Sequence, residues 1–329
     1  MNDGSKEDEL VCAVDLGGTN LRAANIDRNG CLHERVRNST PQSDKPEDVV
    51  ARVAAAVRDC EAQALKRGAR IQSVSVVVPG TVHIETGLVV NAPNLRSVQG
   101  YKLGPALESA LHRPVLLEND ANASALGERW QGAARGHHTI ICLTLGTGVG
   151  GGIILDGKLW RGPDGTAGEL GHTTVEPFGG AQCKCGNTGC LEVYASATAI
   201  VRLTRESLAQ HPNSLLHSIN ATELTSERIC NAAIAGDELA LDVFQRAGVY
   251  LGIAMANFVN IFNPEMIVIG GGVSAAWEVF AQHARAEVRK RAFPVPAQRC
   301  RIERAKCGDD AGLLGAAWLA LECGDSSPL

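Results

Sequence analysis

Two segments of this 329-residue chain, VDLGGTN at 14–20 and LTLGTGVGGG at 143–152, each set a glycine turn between two apolar strands. An apolar strand that turns on glycines and returns as another is the beginning of a sheet, and meeting the unit twice points to an internal duplication. Length leads to two lobes independently, because one hydrophobic core stops growing at roughly 250–300 residues. No Pro- or Ser-rich linker divides the chain, so the duplication sets the expected boundary. A small lobe is expected over 10–118 and a large one over 119–309, with a helix at about 310–323 packing back on the first.

Around the turns, strands alternate with helical stretches, which predicts an α/β protein. Asn29-Gly30 marks a hairpin in the opening sheet. Val49, Val50, Val53, Val57, Ala64 and Leu65 recur at helical spacing, with Pro46 suited to the first turn and Gly68 to the end. IQSVSVVVPG and PVLLEND read as buried strands, the latter with its polar residues at the carboxyl end. Residues 237–262 read as a long buried helix, EMIVIGGG as a strand entering a third glycine turn, and 277–291 as a surface helix.

With 45% apolar and 20% charged residues the chain has the composition of an ordinary globular protein. A formal net charge of -5 and no long basic run give no general attraction for nucleic acid, so a small-molecule partner is expected. MNDGSKEDEL lacks the basic start and apolar stretch of a signal peptide, and no window approaches a membrane span, which makes the cytoplasm the expected compartment. Of eleven cysteines, eight are scattered, whereas Cys183, Cys185 and Cys190 are clustered and read as metal ligands.

Binding a triphosphate requires backbone N–H groups at close range, and glycine removes the side chain that would stand in the way. Asp15-Leu16-Gly17-Gly18-Thr19-Asn20 supplies such a turn, with Thr19 and Asn20 as further donors, Arg22 as a nearby charge, and Asp15 placed to hold Mg²⁺ directly or through water. Gly146, Thr147 and Gly148 of the second repeat could grip the phosphates from the opposite side, and Gly270-Gly271-Gly272 would admit a base or ribose. Each turn taken singly is equally well a hairpin or loop that uses glycine for geometry; the matched pair carries the ATP reading. Neither GxxxxGK[ST] nor a strand-linked GxGxxG opening a helix occurs, which argues against P-loop and Rossmann sites.

Phosphoryl transfer to an alcohol needs a carboxylate near the attacking hydroxyl. Asp120, in Glu118-Asn119-Asp120-Ala121-Asn122 after the strand PVLL, is the candidate base, although Asp120 or Asn122 could equally cap the following helix. Sugar hydroxyls pair with planar polar groups, and Asn94, Asn119, Glu169, His172 and Glu192 supply that set close to the glycine turns; alone, each would read as a solvated loop residue. His172 with Cys183-Lys184-Cys185 and Cys190 offers four ligands within 19 residues, the composition of a closed structural zinc site, as against free thiols in a glycine-rich loop.

Together, VDLGGTNLR, VVPGTV, ENDAN, LGTGVGGG, GELGH and CKCGNTGCLE resemble the ROK family, named for repressors, open reading frames and kinases, over nearly the whole chain, and within it the bacterial glucokinases. The resemblance implies a duplicated ribonuclease-H-like, actin/hexokinase-type fold of two lobes with the active site in the cleft between them, assembled as a homodimer or homotetramer. It implies Asp120 as general base, Gly80, Asn94, Asn119, Glu169, His172 and Glu192 as sugar contacts, and His172, Cys183, Cys185 and Cys190 as zinc ligands, His172 giving one ring nitrogen to each partner. The implied activity is transfer from ATP to the 6-hydroxyl of glucose at the entry to glycolysis. N-acetylglucosamine, N-acetylmannosamine, mannose, allose and fructose kinases share the pattern, and polyphosphate is a second possible donor. Repressors of the family carry a helix-turn-helix module before the first glycine turn, for which the roughly ten residues ahead of the strand leave no room. A non-catalytic sugar-binding regulator is therefore the lesser expectation.

Overall fold

The apolar run Leu10–Val14 has no polar alternation, and β1 (Glu9–Leu16) is accordingly buried on both faces at the centre of a sheet. The computed structural model describes residues 9–325; residues 1–8 and 326–329, with most of the acidic N-terminal run and of the GDSSPL tail, lie outside the described residues. After β1 come β2 (Asn20–Ile26), β3 (Leu32–Ser39), α1 (Pro46–Lys66), β4 (Arg70–Val78), β5 (Thr81–His83), β6 (Leu88–Asn91), α2 (Leu103–Leu111), β7 (Val115–Asn119) and α3 (Asp120–Gln131). The second repeat supplies β8 (Ile140–Leu145), β9 (Val149–Leu155) and β10 (Lys158–Leu159). Then follow α4 (Glu192–Ala195), α5 (Ala197–Ser207), α6 (Ser226–Ile234), α7 (Glu238–Phe262), β11 (Met266–Gly270), α8 (Trp277–Arg291), α9 (Pro294–Arg299), β12 (Arg301–Arg304) and α10 (Ala311–Asp325).

The duplication is exact in topology. One five-stranded sheet has the order β3-β2-β1-β4-β7, the other β10-β9-β8-β11-β12. In both, the first strand pairs antiparallel with the second across the glycine turn, and parallel with the fourth on its other side. The parallel pairs β4·β7 and β11·β12 complete the sheets.

The chain divides into two compact units. One takes in residues up to 136, the segment 159–167 and residues from 309 on; the other takes in 137–158 and 168–308. This division differs from a break at 118/119, because α3 lies along α10 within the first unit. Small residues make that contact possible: a Cβ on Gly315 would stand 1.7 Å from the Ala123 carbonyl, so only glycine lets the two backbones approach so closely. The tether from Arg35 to both carboxylate oxygens of Asp310, at 2.6 and 2.9 Å, joins β3 to the start of α10.

The first core gathers Val14, Val53, Val57, Val76, Leu103 and Leu107 between the sheet and α1–α2. In the second, α7 is the central helix, in contact with α4, α5, α6, α8 and α9, and buries Phe244, Leu251 and Phe258 in the core. Each such buried side chain contributes about 1.5–3 kcal/mol. The sequence expectation that no window approaches a membrane span needs correcting, since α7 is long and apolar enough for one. Its apolar residues are instead spent on the core, where most of them are buried.

Candidate active site

Asp120 is the first residue of α3, directly after the carboxyl end of β7. The preceding Asn119 caps the helix, its Oδ1 accepting from Ala121 N at 2.9 Å and Asn122 N at 3.0 Å, while its Nδ2 donates to the Gly80 carbonyl at 2.8 Å and to Asp120 Oδ1 at 3.1 Å. The cap is thus Asn119, where the sequence had offered Asp120 or Asn122, and the same side chain holds the Asp120 carboxylate at the helix start. Solvent reaches Asp120, yet protein atoms crowd it. That burial, with a further push from the charge on Asp15, raises its pKa to about 6, against which the Ala121 N–H and Asn119 act.

The first glycine turn is held from beneath. Thr40 Oγ1 donates to the Gly17 carbonyl at 2.7 Å and Gln42 Nε2 to the Gly18 carbonyl at 2.9 Å. A Cβ on Gly18 would meet the Asn94 carbonyl at 2.3 Å, so this glycine permits the NAPNL loop to lie against the turn. Asp15 pairs with Arg22. Burial raises the Asp15 pKa, Arg22 works to lower it, and Asp309 raises it again. Asp15, Gly17, Gly18, Thr19, Asn20 and Arg22 line one cavity of about 320 Å³ together with Arg37 and Asp309.

Arg37 and Asp309 were not among the residues singled out from sequence. Arg37 stands directly across from Arg22 in the β2·β3 register, a like-charge pair that a sheet disfavours unless an anion or counter-charge serves both. The signal was the alternation of β3, which puts Arg37 on the same face as Arg35; pairing register is what brings it to the turn.

In the second unit, Gly146 O accepts from Ala197 N at 2.8 Å and Thr147 O from Thr198 Oγ1 at 2.8 Å, tying the second glycine turn to the start of α5. Glu192 reaches the same turn: its Oε2 accepts from Val149 N at 3.0 Å, and a Cβ on Gly148 would collide with that oxygen. Thr147 also lines a cavity of about 510 Å³ with Thr198, Arg202, Arg205 and Thr225, four further residues that spacing did not reveal. Gly270, Gly271 and Gly272 lead from β11 into a short turn ahead of α8.

Glu169 and His172 share one short turn, with Glu169 exposed and His172 half-buried. The His172 ring points its two nitrogens differently: Nε2 lies 3.7 Å from Glu169 Oε2 and Nδ1 lies 3.6 Å from Cys183 Sγ. Cys185 Sγ and Cys190 Sγ are 3.7 Å apart, and the four ligand atoms all fall within 4.8 Å of one another. A tetrahedral zinc with Zn–S near 2.3 Å and Zn–N near 2.05 Å requires edges of about 3.8 Å between sulfurs and about 3.6 Å between nitrogen and sulfur. The donor set therefore fits the ion in kind and spacing.

Backbone pairing builds this cluster from its glycine-rich loop. Thr174 bridges to Cys190 and Gln182 to Thr188, while Cys183 N donates to the Asn187 carbonyl at 2.8 Å. Burial and the adjacent sulfurs push the Cys190 thiol to about 12, and the Asn187 N–H lowers that of Cys185. Burial raises Cys183 as well, so two of the three thiols resist ionisation unless a cation neutralises them.

Two sheets of matching order, each opened by a glycine-turned hairpin, with a base-like carboxylate at a strand's carboxyl end, define the duplicated ribonuclease-H-like fold of the actin and hexokinase type. The chain belongs to the ROK family, whose sequence pattern matches residues 11–323. It is similar to the glucokinase of Halalkalibacterium halodurans, 37% identical over 318 residues that cover 95% of each chain. Among solved structures it is similar to a ROK family glucokinase from Streptomyces griseus in complex with glucose and AMPPNP, with TM-score 0.82 and 34% identity over 95% of this chain and 99% of that one. It is also similar to a ROK family transcriptional regulator homologous to Escherichia coli MLC, with TM-score 0.87 and 31% identity over 96% of this chain and 78% of that one.

Proposed function

We propose that this protein is an ATP-dependent glucokinase that transfers the terminal phosphoryl group of ATP to the 6-hydroxyl of glucose, with Asp120 as general base. The observation that carries the reading is Asp120 itself: a carboxylate with a pKa of about 6, fixed by Asn119 at the end of β7 and electrostatically coupled to Asp15 of the first glycine turn. Similarity to a glucokinase across 95% of the chain supports glucose among the hexoses.

In this mechanism Asp120 accepts the proton of the sugar hydroxyl as its oxygen bonds to the terminal phosphorus, and ADP departs with the electrons of the broken P–O bond. Asp15 would hold Mg²⁺, which supplies neutralisation of the phosphate charge. Arg22, Thr19, Asn20 and the N–H group of Gly18 would orient the donor's phosphates, Gly17 shaping the turn with its own N–H on the Asn20 carbonyl, and Thr147 and Gly148 would add to them. The donor's nucleoside fits the cavity of Thr147, Thr198 and Arg205, with Gly270–Gly272 as the further contact. Asn94, Asn119, Gly80, Glu169, His172 and Glu192 hold the sugar, Glu192 also bracing the second glycine turn through Val149 N.

His172, Cys183, Cys185 and Cys190 would hold a structural zinc that shapes the loop of Glu169 and leaves the chemistry to Asp120. The cytoplasm is the proposed compartment and a homo-oligomer, dimer or tetramer, the proposed state. The exposed apolar residues Ile261, Phe293 and Val295, from the end of α7 and the start of α9, support the latter.

Similarity to a ROK regulator favours one second reading, a non-catalytic sugar sensor. The intact set of Asp15, Asp120 and both glycine turns weighs against it. Release of ADP by the purified protein with Mg-ATP, measured on glucose, mannose, allose, fructose and the two N-acetylhexosamines, separates these outcomes. Turnover on glucose is expected; turnover on another hexose alone would transfer the assignment to that sugar. Silence on all six, with sugar binding still measurable by calorimetry, would establish the sensor.

A further inference from the structure

Glu118 is 1% exposed at the end of β7, one residue ahead of the caps that position Asp120. Its carboxylate is fully employed. Oε1 accepts from Asn119 N at 2.9 Å and from Asn122 Nδ2 at 3.0 Å, and Arg161 converges on Oε2 with Nε and Nη2, each at 2.7 Å. A carboxylate this deeply buried requires such a partner, and the planar fork of arginine provides what a lysine would not.

Arg161 does not belong to the sheet whose base it neutralises. It stands in the segment 159–167, which leaves the β9–β10 hairpin of the second unit, folds with the first unit, and returns to the second at Gly168. The segment is a closed loop: Ala167 N donates to the Arg161 carbonyl at 3.0 Å, and Asp164 Oδ1 accepts from Thr166 Oγ1 at 2.7 Å. It rests on β5, where a Cβ at Gly165 would lie 2.9 Å from the Val82 carbonyl. Glu169 and His172, the sugar candidates of the second unit, follow directly.

One buried carboxylate thus anchors two things, the Asn119–Asn122 platform that aims Asp120 and the root of the segment that continues into Glu169 and His172. We infer that Arg161 is a positioning residue for sugar binding, holding the Glu118 carboxylate and through it the Asn119–Asn122 platform in which Asp120 meets the sugar. The inference rests on the kinase reading. Arg161 touches none of the residues assigned to the nucleotide among the described contacts, so its effect falls on the sugar and spares ATP.

The test uses the full chain with Arg161→Ala and Arg161→Lys. Initial rates are measured against glucose and ATP separately, with glucose Kd by calorimetry and a melting curve for each variant. The glucose KM and Kd are expected to rise about tenfold or more in Arg161→Ala and by a smaller factor in Arg161→Lys, whose point charge cannot reproduce the fork, while the KM for ATP stays within about twofold. A tie that only stabilises the fold would lower the melting temperature and the active fraction and leave the glucose KM and Kd of the folded molecules alone. Glucose KM and Kd within about twofold of wild type in the folded variants, or an equal rise in the KM for ATP, would overturn the inference. Should Arg161→Ala fail to fold, Arg161→Lys decides by the same criterion. Wild-type protein that binds glucose without turnover would refute the kinase reading alone, and glucose Kd in the variants would still decide the role of Arg161.

Discussion

His172 Nδ1 stands 3.6 Å from Cys183 Sγ, which commits one ring nitrogen to the cysteine cluster and leaves the other, Nε2, on the side of Glu169. A metal here would fix the tautomer and the orientation of the ring. Purified protein should contain about one zinc per chain. Cys185→Ser should lose the metal, melt at a lower temperature and bind glucose more weakly, since the loop of Glu169 loses its frame. Wild-type protein that is metal-free by elemental analysis and unaffected by chelators in its melting curve would exclude the zinc assignment.

Replacing Asp120 with Asn keeps its shape and removes the proton acceptor. Turnover should fall by about 10² to 10⁴-fold, with calorimetric glucose affinity close to that of wild type. The melting temperature should not drop, because burial and Asp15 disfavour the charge that the substitution deletes. Near-normal kcat would move the base elsewhere.

The raised pKa of Asp120 has a sign that a pH profile can read. With a folded value of about 6 against an ordinary value of 3.8, the folded protein retains a proton between those limits that the unfolded chain has released, so ionised Asp120 works against stability above about pH 6. The base form is correspondingly lost below it. The kcat/KM for glucose should fall as pH drops through about 6, by tenfold per unit on the acid limb. An acid limb near pH 4 would be incompatible with a base in this environment.

Arg37 has no hydrogen-bond or ion-pair partner among the described residues, while its cross-strand neighbour Arg22 is held by Asp15. An unpaired guanidinium lining the glycine-turn cavity suits a phosphate. Arg37→Ala should raise the KM for ATP several-fold, on the order of 1 kcal/mol, and leave the KM for glucose unchanged. Steady-state kinetics with each substrate varied in turn would show this; an unchanged KM for ATP would reduce Arg37 to a surface charge.

Much of the fold was legible because its determinants are local. VDLGGTN and LTLGTGVGGG announce strand, glycine turn and strand without reference to anything distant, and both became hairpins at the heart of matching sheets. The run 277–291 emerged as α8 with the same ends, since helical periodicity is a nearest-turn property. The four clustered side chains from His172 to Cys190 are likewise close in sequence, so their meeting needed only a loop able to fold back.

Contacts between distant segments were out of reach. Nothing in ENDAN says that Glu118 needs Arg161, 43 residues later, or that the segment 159–167 belongs with the first unit. Arg37 reaches the first glycine turn only through the β2·β3 register, and Asp309 only because α10 returns to the first sheet. The unit boundary shifted for the same reason: α3 sits with α10 because small residues on both helices let their backbones touch. Residue types and local spacing determined which chemistry this chain can carry. Tertiary structure alone decided which charges are neutralised and what holds Asp120 in place, because burial and pairing energies depend on neighbours that only the folded chain supplies.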